Sequence, residues 1–271
     1  MYLFMNRYAL KFGYIGKNFY GYQRQPNFKT VEGDILNACF STGIIKDYKN
    51  ANFKSASRTD KGVSALGNVL AVNTDFRKNE IIQALNSHIQ DIWFYKIAQV
   101  DTTFNPRHAI KRIYRYHLST NKRNINVLIK ATDIFIGEHD FKYFCYNVKD
   151  KNTVRTITRI DVNKSKNFIT IDFEAPNFLW GMVRMIIAAI LSYENNKTNI
   201  TQIEKVLLME KKNHFGIALP EPLLLVDISY DFCFEKTHVY INSIDDLEQR
   251  LYLSDLQNQF YSSLITSLSD E

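Results

Sequence analysis

Strand-like and helix-like segments alternate along this chain without the strict strand–helix–strand rhythm of a parallel sheet, and that irregularity constrains the fold more than any other feature. Arg7–Tyr14 reads as a strand, broken by Gly13 and Gly16, and an aromatic, polar loop follows over Lys17–Phe28. Thr30 is positioned to cap a helix in which Val31, Ile35 and Ala38/Cys39 recur at helical spacing, with Glu32 and Asp34 in its first turn. Next come a short strand over Phe53–Ala56, a turn at Arg58–Gly62, a strand over Asn68–Asn73, a helix over Asn79–Ser87 and a strand over Ile92–Val100. The second half repeats the mixture, with a strand over Ile113–Ser119 and a short helix over His139–Tyr146. Val154–Val162 and Phe168–Glu174 read as a hairpin joined by the polar turn Asn163–Asn167. Helices over Phe178–Tyr193 and Ile200–Met209 precede a strand over Leu223–Tyr230. The pattern predicts an α+β fold with a largely antiparallel sheet, and no repeat of solenoid length is present.

Several classes fall away. The chain has 271 residues, 45% hydrophobic and 23% charged, ordinary values for a folded soluble protein. No run approaches the roughly 18 uninterrupted apolar residues of a membrane span. Met1–Leu10 is apolar but lacks a basic leader and a small-residue cleavage site, so it reads as the run-in to a first strand of a cytoplasmic protein. Cys39, Cys145 and Cys233 lie far apart without metal-ligand spacing, which argues for inert thiols over disulfides or structural zinc. The six histidines show no paired metal spacing; there is no phosphate-binding glycine loop and no nucleophile elbow.

Charge is more informative by distribution than by sum. The net charge is +6, from 34 basic and 28 acidic residues. Between Asn105 and Lys130 stand Arg107, Lys111, Arg112, Arg115, Lys122, Arg123 and Lys130 without one acidic residue, with Tyr114 and Tyr116 interleaved. A second zone holds Lys149, Lys151, Arg155, Arg159, Lys164 and Lys166, diluted by Asp150 and Asp161. Such zones are either solvated faces or a surface that follows phosphates. From Asn242 to Glu271 the sign reverses, with six acidic residues against Arg250 alone. Leu247, Leu251, Leu256, Phe260, Leu264 and Leu268 trace an approximate helical stripe behind Ser243, a candidate cap, so this end reads as an appended helix packing on the body or on a partner chain.

The segment with chemical content is Ser57-Arg58-Thr59-Asp60-Lys61-Gly62-Val63-Ser64-Ala65-Leu66-Gly67-Asn68-Val69. An Asp in a tight turn between strands can stand at the rim of a sheet, and Gly62 gives such a turn its backbone freedom. Taken alone, the same residues read as well as an Asx-type turn with an ion pair.

The wider sequence resembles the tRNA pseudouridine synthase A family, whose hallmark is that Arg-Thr-Asp stretch. The opening Tyr14-Ile15-Gly16 through Asn18-Phe19-Tyr20-Gly21-Tyr22-Gln23, then Gln25-Pro26 and Thr30-Val31-Glu32-Gly33, is similar to the family's first motif. Ala84-Leu85-Asn86, Phe104-Asn105-Pro106-Arg107, Lys111-Arg112-Ile113-Tyr114-Arg115-Tyr116 and Asn177-Phe178-Leu179-Trp180-Gly181-Met182-Val183-Arg184 match further elements in order, from about residue 8 to residue 230. Ile15, Tyr22 and Asn68 depart from the usual Asp, Trp and Gln, and Lys61 with Ser64 looks like archaeal and eukaryotic relatives.

The resemblance implies a pseudouridine synthase fold of two sheet-and-helix halves with RNA-recognition-like subdomains, joined across a central sheet with a basic cleft. The halves fall at 1–104, carrying the Asp60 turn, and 105–241, with the acidic helix appended at 242–271. It implies an isomerase of tRNA processing and pseudouridine synthesis that flips a uridine out of the anticodon stem-loop, at positions 38–40, with Asp60 as the single catalytic carboxylate. The reaction breaks the N1–C1′ bond, turns the uracil and joins C5 to C1′, so it needs neither cofactor nor metal. Asp60 acts as nucleophile or as base on the ribose, and either role needs it ionised. Arg184 is the implied guanidinium partner that favours that form. Tyr114, or Tyr116 on the same strand face, stacks on the base; Arg58 fills the space the nucleotide leaves; Arg107, Lys111, Arg112 and Arg115 bind phosphates. Each has a plainer reading: a snorkelling helix arginine for Arg184, a core aromatic for Tyr114, a structural ion pair for Arg58. The family implies a homodimer with tRNA as partner. The alternatives are the same chemistry on other tRNA or small nuclear RNA uridines, or a non-catalytic tRNA-binding chaperone.

Overall fold

The computed structural model describes residues 5–121, 123–146, 152–236 and 241–269, with the side chains of 241–244 and 264–269 outside that description. Lys122, Lys149, Lys151 and His238, and the Leu264 and Leu268 positions of the C-terminal stripe, therefore lie outside the described residues or side chains.

In chain order the elements are β1 (Asn6–Tyr14), α1 (Val31–Ser41), α2 (Tyr48–Ala51), β2 (Lys54–Ser55), β3 (Ser64–Thr74), α3 (Lys78–Asn86), β4 (Ile92–Val100), β5 (Lys111–Ser119) and α4 (Ile125–Asp133). They continue with β6 (Gly137–Asp140), β7 (Val154–Ile157), β8 (Arg159–Lys164), β9 (Phe168–Ala175), α5 (Met182–Glu194), α6 (Ile200–Leu207), β10 (Leu223–Ser229), β11 (Glu235–Lys236) and α7 (Ile241–Ser269). The fold is α+β. One large sheet runs β11-β4-β1-β3-β10-β5-β9-β8, with β2 paired to β3 at its side, and β6 and β7 form a separate ribbon. Every pair in the large sheet is antiparallel except β10 with β3. β10, near the end of the chain, is thus the stitch between strands of the first and second halves.

Buried side chains gather in two clusters. One contains Phe12, Tyr14 and Phe19 with Ile35 of α1 and Ile81 of α3; Leu225 and Ile228 of β10 join it. The other contains Tyr116, Phe141, Phe144 and Phe173 with Ile186 and Ile190 of α5. Tyr114 is packed against both. Thr30 caps α1 as its sequence implied, its Oγ1 accepting from the Gly33 N–H at 3.3 Å.

Four local expectations are corrected. His139–Tyr146 is not a helix: its first residues pair in β6, His139 opposite Arg155, and only Lys142–Phe144 closes a 3-10 turn. Phe141 and Phe144, three apart and both buried, give a helix-like period that a single tight turn satisfies. The Val154–Val162 strand is broken at Thr158, so β7 leaves to pair with β6 while β8 alone completes the hairpin with β9. Helix α5 begins at Met182 and not Phe178, because Gly181 takes a left-handed conformation at its N-cap. Helix α4 was not anticipated, although Asn124 caps it by accepting from the Asn126 and Val127 N–H groups. The C-terminal helix starts at Ile241, so Ser243 lies inside it and not at its cap.

Candidate active site

The Asp60 turn is held from several sides by residues far apart in sequence. Tyr14 and Thr59 share a hydroxyl–hydroxyl hydrogen bond of 2.8 Å, the Asn68 amide donates to the Ser57 carbonyl at 3.1 Å, and the Tyr22 N–H donates to the Thr59 carbonyl at 3.1 Å. Gly62 has φ +88° and closes the turn, with the Val63 N–H donating to the Asp60 carbonyl. Gly16 lies flat against it: a Cβ there would stand 2.2 Å from the Val63 carbonyl oxygen, a backbone atom that cannot move aside. The opening glycine motif and the Arg-Thr-Asp motif are therefore two faces of one contact.

Asp60 ends in a clamp. Its Oδ2 accepts from Arg184 Nη1 at 2.6 Å, and its Oδ1 accepts from Trp180 Nε1 at 2.7 Å. The Asp60 and Arg184 side chains are 17% and 13% exposed. Arg184 is fixed in turn by its Nε, which donates to the Ala218 carbonyl at 2.8 Å. The carboxylate opens into a cleft of about 1180 Å³ that Arg58, Tyr114, Phe178 and Trp180 help to line. This exceeds the roughly 300–1,000 Å³ of ordinary small-molecule sites. Among the described residues its charged walls are Arg24, Arg58, Lys61, Arg107, Arg112 and Arg184 against Asp60 as the one carboxylate.

Tyr114 and Tyr116 share a face of β5 but not an environment. Tyr116 is buried in the second core cluster, its hydroxyl donating to the Leu219 carbonyl. Tyr114 reaches the cleft, where Phe178 meets its ring edge-on at 5.2 Å. Burial pushes the Tyr114 phenol up to about 12, offset by Arg112 and a hydrogen bond to Ser57 and reinforced by the Asp60 charge. Arg58 is exposed at the rim, donates to Gln23 at 3.3 Å, and forms no ion pair among the described residues.

The four anticipated phosphate ligands separate. Arg107 is exposed on the cleft wall. Arg112 is 5% exposed and its guanidinium is consumed by Ser57 Oγ and the carbonyls of Ala56, Arg107 and Pro176, so it is a strut between the Asp60 turn and the second half. Lys111 and Arg115 point to the opposite face of β5 from Tyr114, as alternate strand residues must, and pair with Glu174 at 3.0 Å and Asp172 at 2.7 Å. The structure does not bring these two to the cleft.

Two contributors were missed in the sequence. Trp180 was visible only as a motif letter, with nothing to say that its indole meets Asp60. Tyr20 and Phe28 lie half-exposed at the rim with ring centroids 4.5 Å apart, and Lys61 Nζ sits 4.0 Å from the Tyr20 centroid. The aromatic composition of the Lys17–Phe28 loop was the available signal. Among the described residues no group of three or more His, Cys, Asp or Glu is arranged to hold a metal, and no helix is long and apolar enough to cross a membrane.

A family model described as tRNA pseudouridine synthase matches residues 131–231. A tRNA pseudouridine synthase A of Thermococcus sibiricus is 42% identical over 228 residues, covering 83% of this chain and 85% of that protein. Its counterpart in Pyrococcus furiosus is 40% identical over 228 residues, covering 83% and 84%. That of Methanococcoides burtonii is 43% identical over 187 residues, 68% of each. A solved Cbf5–Nop10–Gar1 complex aligns with a TM-score of 0.33 and 14% identity, over 66% of this chain and 43% of that one, too distant to bear on the site. The class these findings define is the pseudouridine synthases, isomerases of uridine in RNA. Within that class, the chain belongs to the tRNA pseudouridine synthase A family.

Proposed function

We propose that the chain isomerises uridine to pseudouridine in the anticodon stem-loop of tRNA, with Asp60 as its catalytic carboxylate. The observation that carries the reading is the clamp: a carboxylate held at 2.6 Å by an anchored arginine, at the wall of a cleft whose other charged walls are cationic. Cations draw the phosphate backbone in, and the uridine leaves its stack to enter the cleft. Tyr114 then offers a ring against the freed base, and its neutral phenol approaches Asp60 without adding charge. Arg58, at the rim and without an ion pair among the described residues, fills the vacated place, and Arg107 takes a phosphate. Asp60 acts on the ribose while the N1–C1′ bond breaks; the uracil turns, C5 bonds to C1′, C5 gives up its proton and N1 takes one. Fixed dipoles and exclusion of water, not an added group, lower the barrier.

Residues 1–104 and 105–241 act in this reading as two α+β halves sharing the cleft, each supplying most of one core cluster while Leu225 and Ile228 join the first and Val63 the second, with 242–271 appended. The enzyme works on tRNA in the cytoplasm as a homodimer, the latter open to sedimentation analysis. The test of the chemistry is tritium release from tRNA labelled at uridine C5. The wild type releases tritium and Asp60→Ala does not; release by both, or by neither, rejects the mechanism. Mapping of the modified positions tests the anticodon assignment.

A further inference from the structure

Trp180 stands on the carboxylate oxygen a substrate must reach, and we propose that its indole is a removable cap which the incoming nucleotide displaces. The inference rests on the proposed role of Asp60 and adds a positioning residue to it.

Both Asp60 oxygens have a donor, Arg184 on Oδ2 and Trp180 on Oδ1, but the two donors are held differently. Arg184 has a second hydrogen bond to the Ala218 carbonyl and is largely buried, so it leaves only by breaking both bonds. The indole has one donor, Nε1, and it is spent on Asp60. Trp180 is otherwise 60% exposed, the least buried residue to touch the carboxylate. Its backbone is secured, because the Trp180 carbonyl accepts from the Tyr146 N–H at 2.8 Å, and its ring leans on the Tyr146 ring at 5.0 Å. Side-chain rotation alone can therefore lift the indole while the chain beneath stays in place. A reacting atom must come within about 3–3.5 Å of the group that acts on it. The indole nitrogen, 2.7 Å from Oδ1, already occupies that space. The cap orients the carboxylate and shields Oδ1 from water; on binding, it gives up one charge-assisted hydrogen bond and presents its ring to the RNA.

A cap of this kind competes with the substrate, which fixes the sign of the test. Trp180→Phe keeps a ring against Tyr146 but has no donor. Its tRNA Kd should fall about three- to tenfold, less than the roughly 13- to 160-fold of a full charge-assisted hydrogen bond because water already competes for the exposed indole, with kcat within threefold of wild type. A residue that merely supports the fold, or that serves the transition state, cannot tighten binding. An unchanged or raised Kd, or a larger loss of kcat, overturns the proposal. The chain has two tryptophans, so Trp93→Phe leaves Trp180 as the sole source of tryptophan emission. Its emission should change with tRNA binding and before tritium release in a single turnover; constant emission, or a change only after release, also overturns it. Absence of tritium release by the wild type counts against the proposed function instead, and is read independently of Kd and emission.

Discussion

Replacing Arg184 with Met tests the clamp most directly, because the side chain lies on a helix start, fits an apolar isostere and makes two bonds that Met makes neither of. The bond to Asp60 is a charge-assisted hydrogen bond, a type that contributes about 1.5–3 kcal/mol net. Deleting one partner of a fully buried ion pair costs about 3–5 kcal/mol, because the other charge is left unpaired. Asp60 is 17% exposed and so not fully buried, which brings the effect to or below the bottom of that span. About 2–3 kcal/mol of transition-state stabilisation is at stake, a fall in kcat of roughly 30- to 150-fold. The Ala218 carbonyl also loses its partner, adding about 1–3 kcal/mol of destabilisation. Single-turnover tritium release measures the first effect. Urea unfolding of wild type, Arg184→Met, Asp60→Ala and the double variant measures the pair, with an expected coupling energy of about 2 kcal/mol. A kcat within threefold of wild type, together with coupling below about 0.5 kcal/mol, would show that the pair is incidental.

Removing Arg58 or Arg107 should weaken tRNA binding and reduce the steepness of its dependence on salt by about one unit of slope each, whereas Lys111→Ala or Arg115→Ala should leave both nearly unchanged; filter binding between roughly 50 and 200 mM salt decides, and equal effects of all four contradict the sorting of faces along β5. Gly16→Ala should destabilise the protein by about 1–3 kcal/mol and lower activity, since its Cβ meets the Val63 carbonyl; urea midpoints near wild type would refute the contact. Alkaline pH should unfold the protein. The Tyr114 phenol, raised by burial to about 12, favours the folded state fully below pH 10 and loses that contribution as pH rises from 10 to 12; Tyr14 and Tyr22 shift in the same direction. Tyrosinate absorbance that appears before loss of circular dichroism in this window would contradict their burial.

Much of the architecture could be read before any coordinate was known, because strands such as Ile92–Val100 and helices such as Val31–Ser41 carry their own periodicity and caps. What failed were elements whose state depends on a distant partner. His139 extends because Arg155 is opposite it, and the strand beginning at Val154 splits because two different neighbours claim its ends. The site divides in the same way. Asp60, Tyr114 and Arg184 were legible through motif order alone, and the structure brings them to one cleft. The roles of Lys111, Arg112 and Arg115 were not, since a cluster of cations along a strand does not say which face each takes or which carbonyls lie within reach. Trp180 was invisible for the complementary reason: a mostly exposed aromatic has no signature until its nitrogen is found beside an acid.

Neither half of the chain can build the clamp alone. Asp60 comes from the turn before β3, while Trp180 and Arg184 come from the start of α5, more than a hundred residues later. The structure links these two places twice. β10 lies parallel to β3 on one side and antiparallel to β5 on the other, and the segment just before it carries Ala218, which holds Arg184, and Pro220, whose ring would stand 2.9 Å from a Cβ placed on Gly62 of the Asp60 turn. Arg112 makes the second link, its guanidinium joining Ala56 and Ser57 to Pro176. A buried cation bound mainly to carbonyls contributes little net stability and is costly to orphan. Its value here is positional: it sets the distance between the two halves at the one place where a few tenths of an ångström separate a charge-assisted hydrogen bond from a gap.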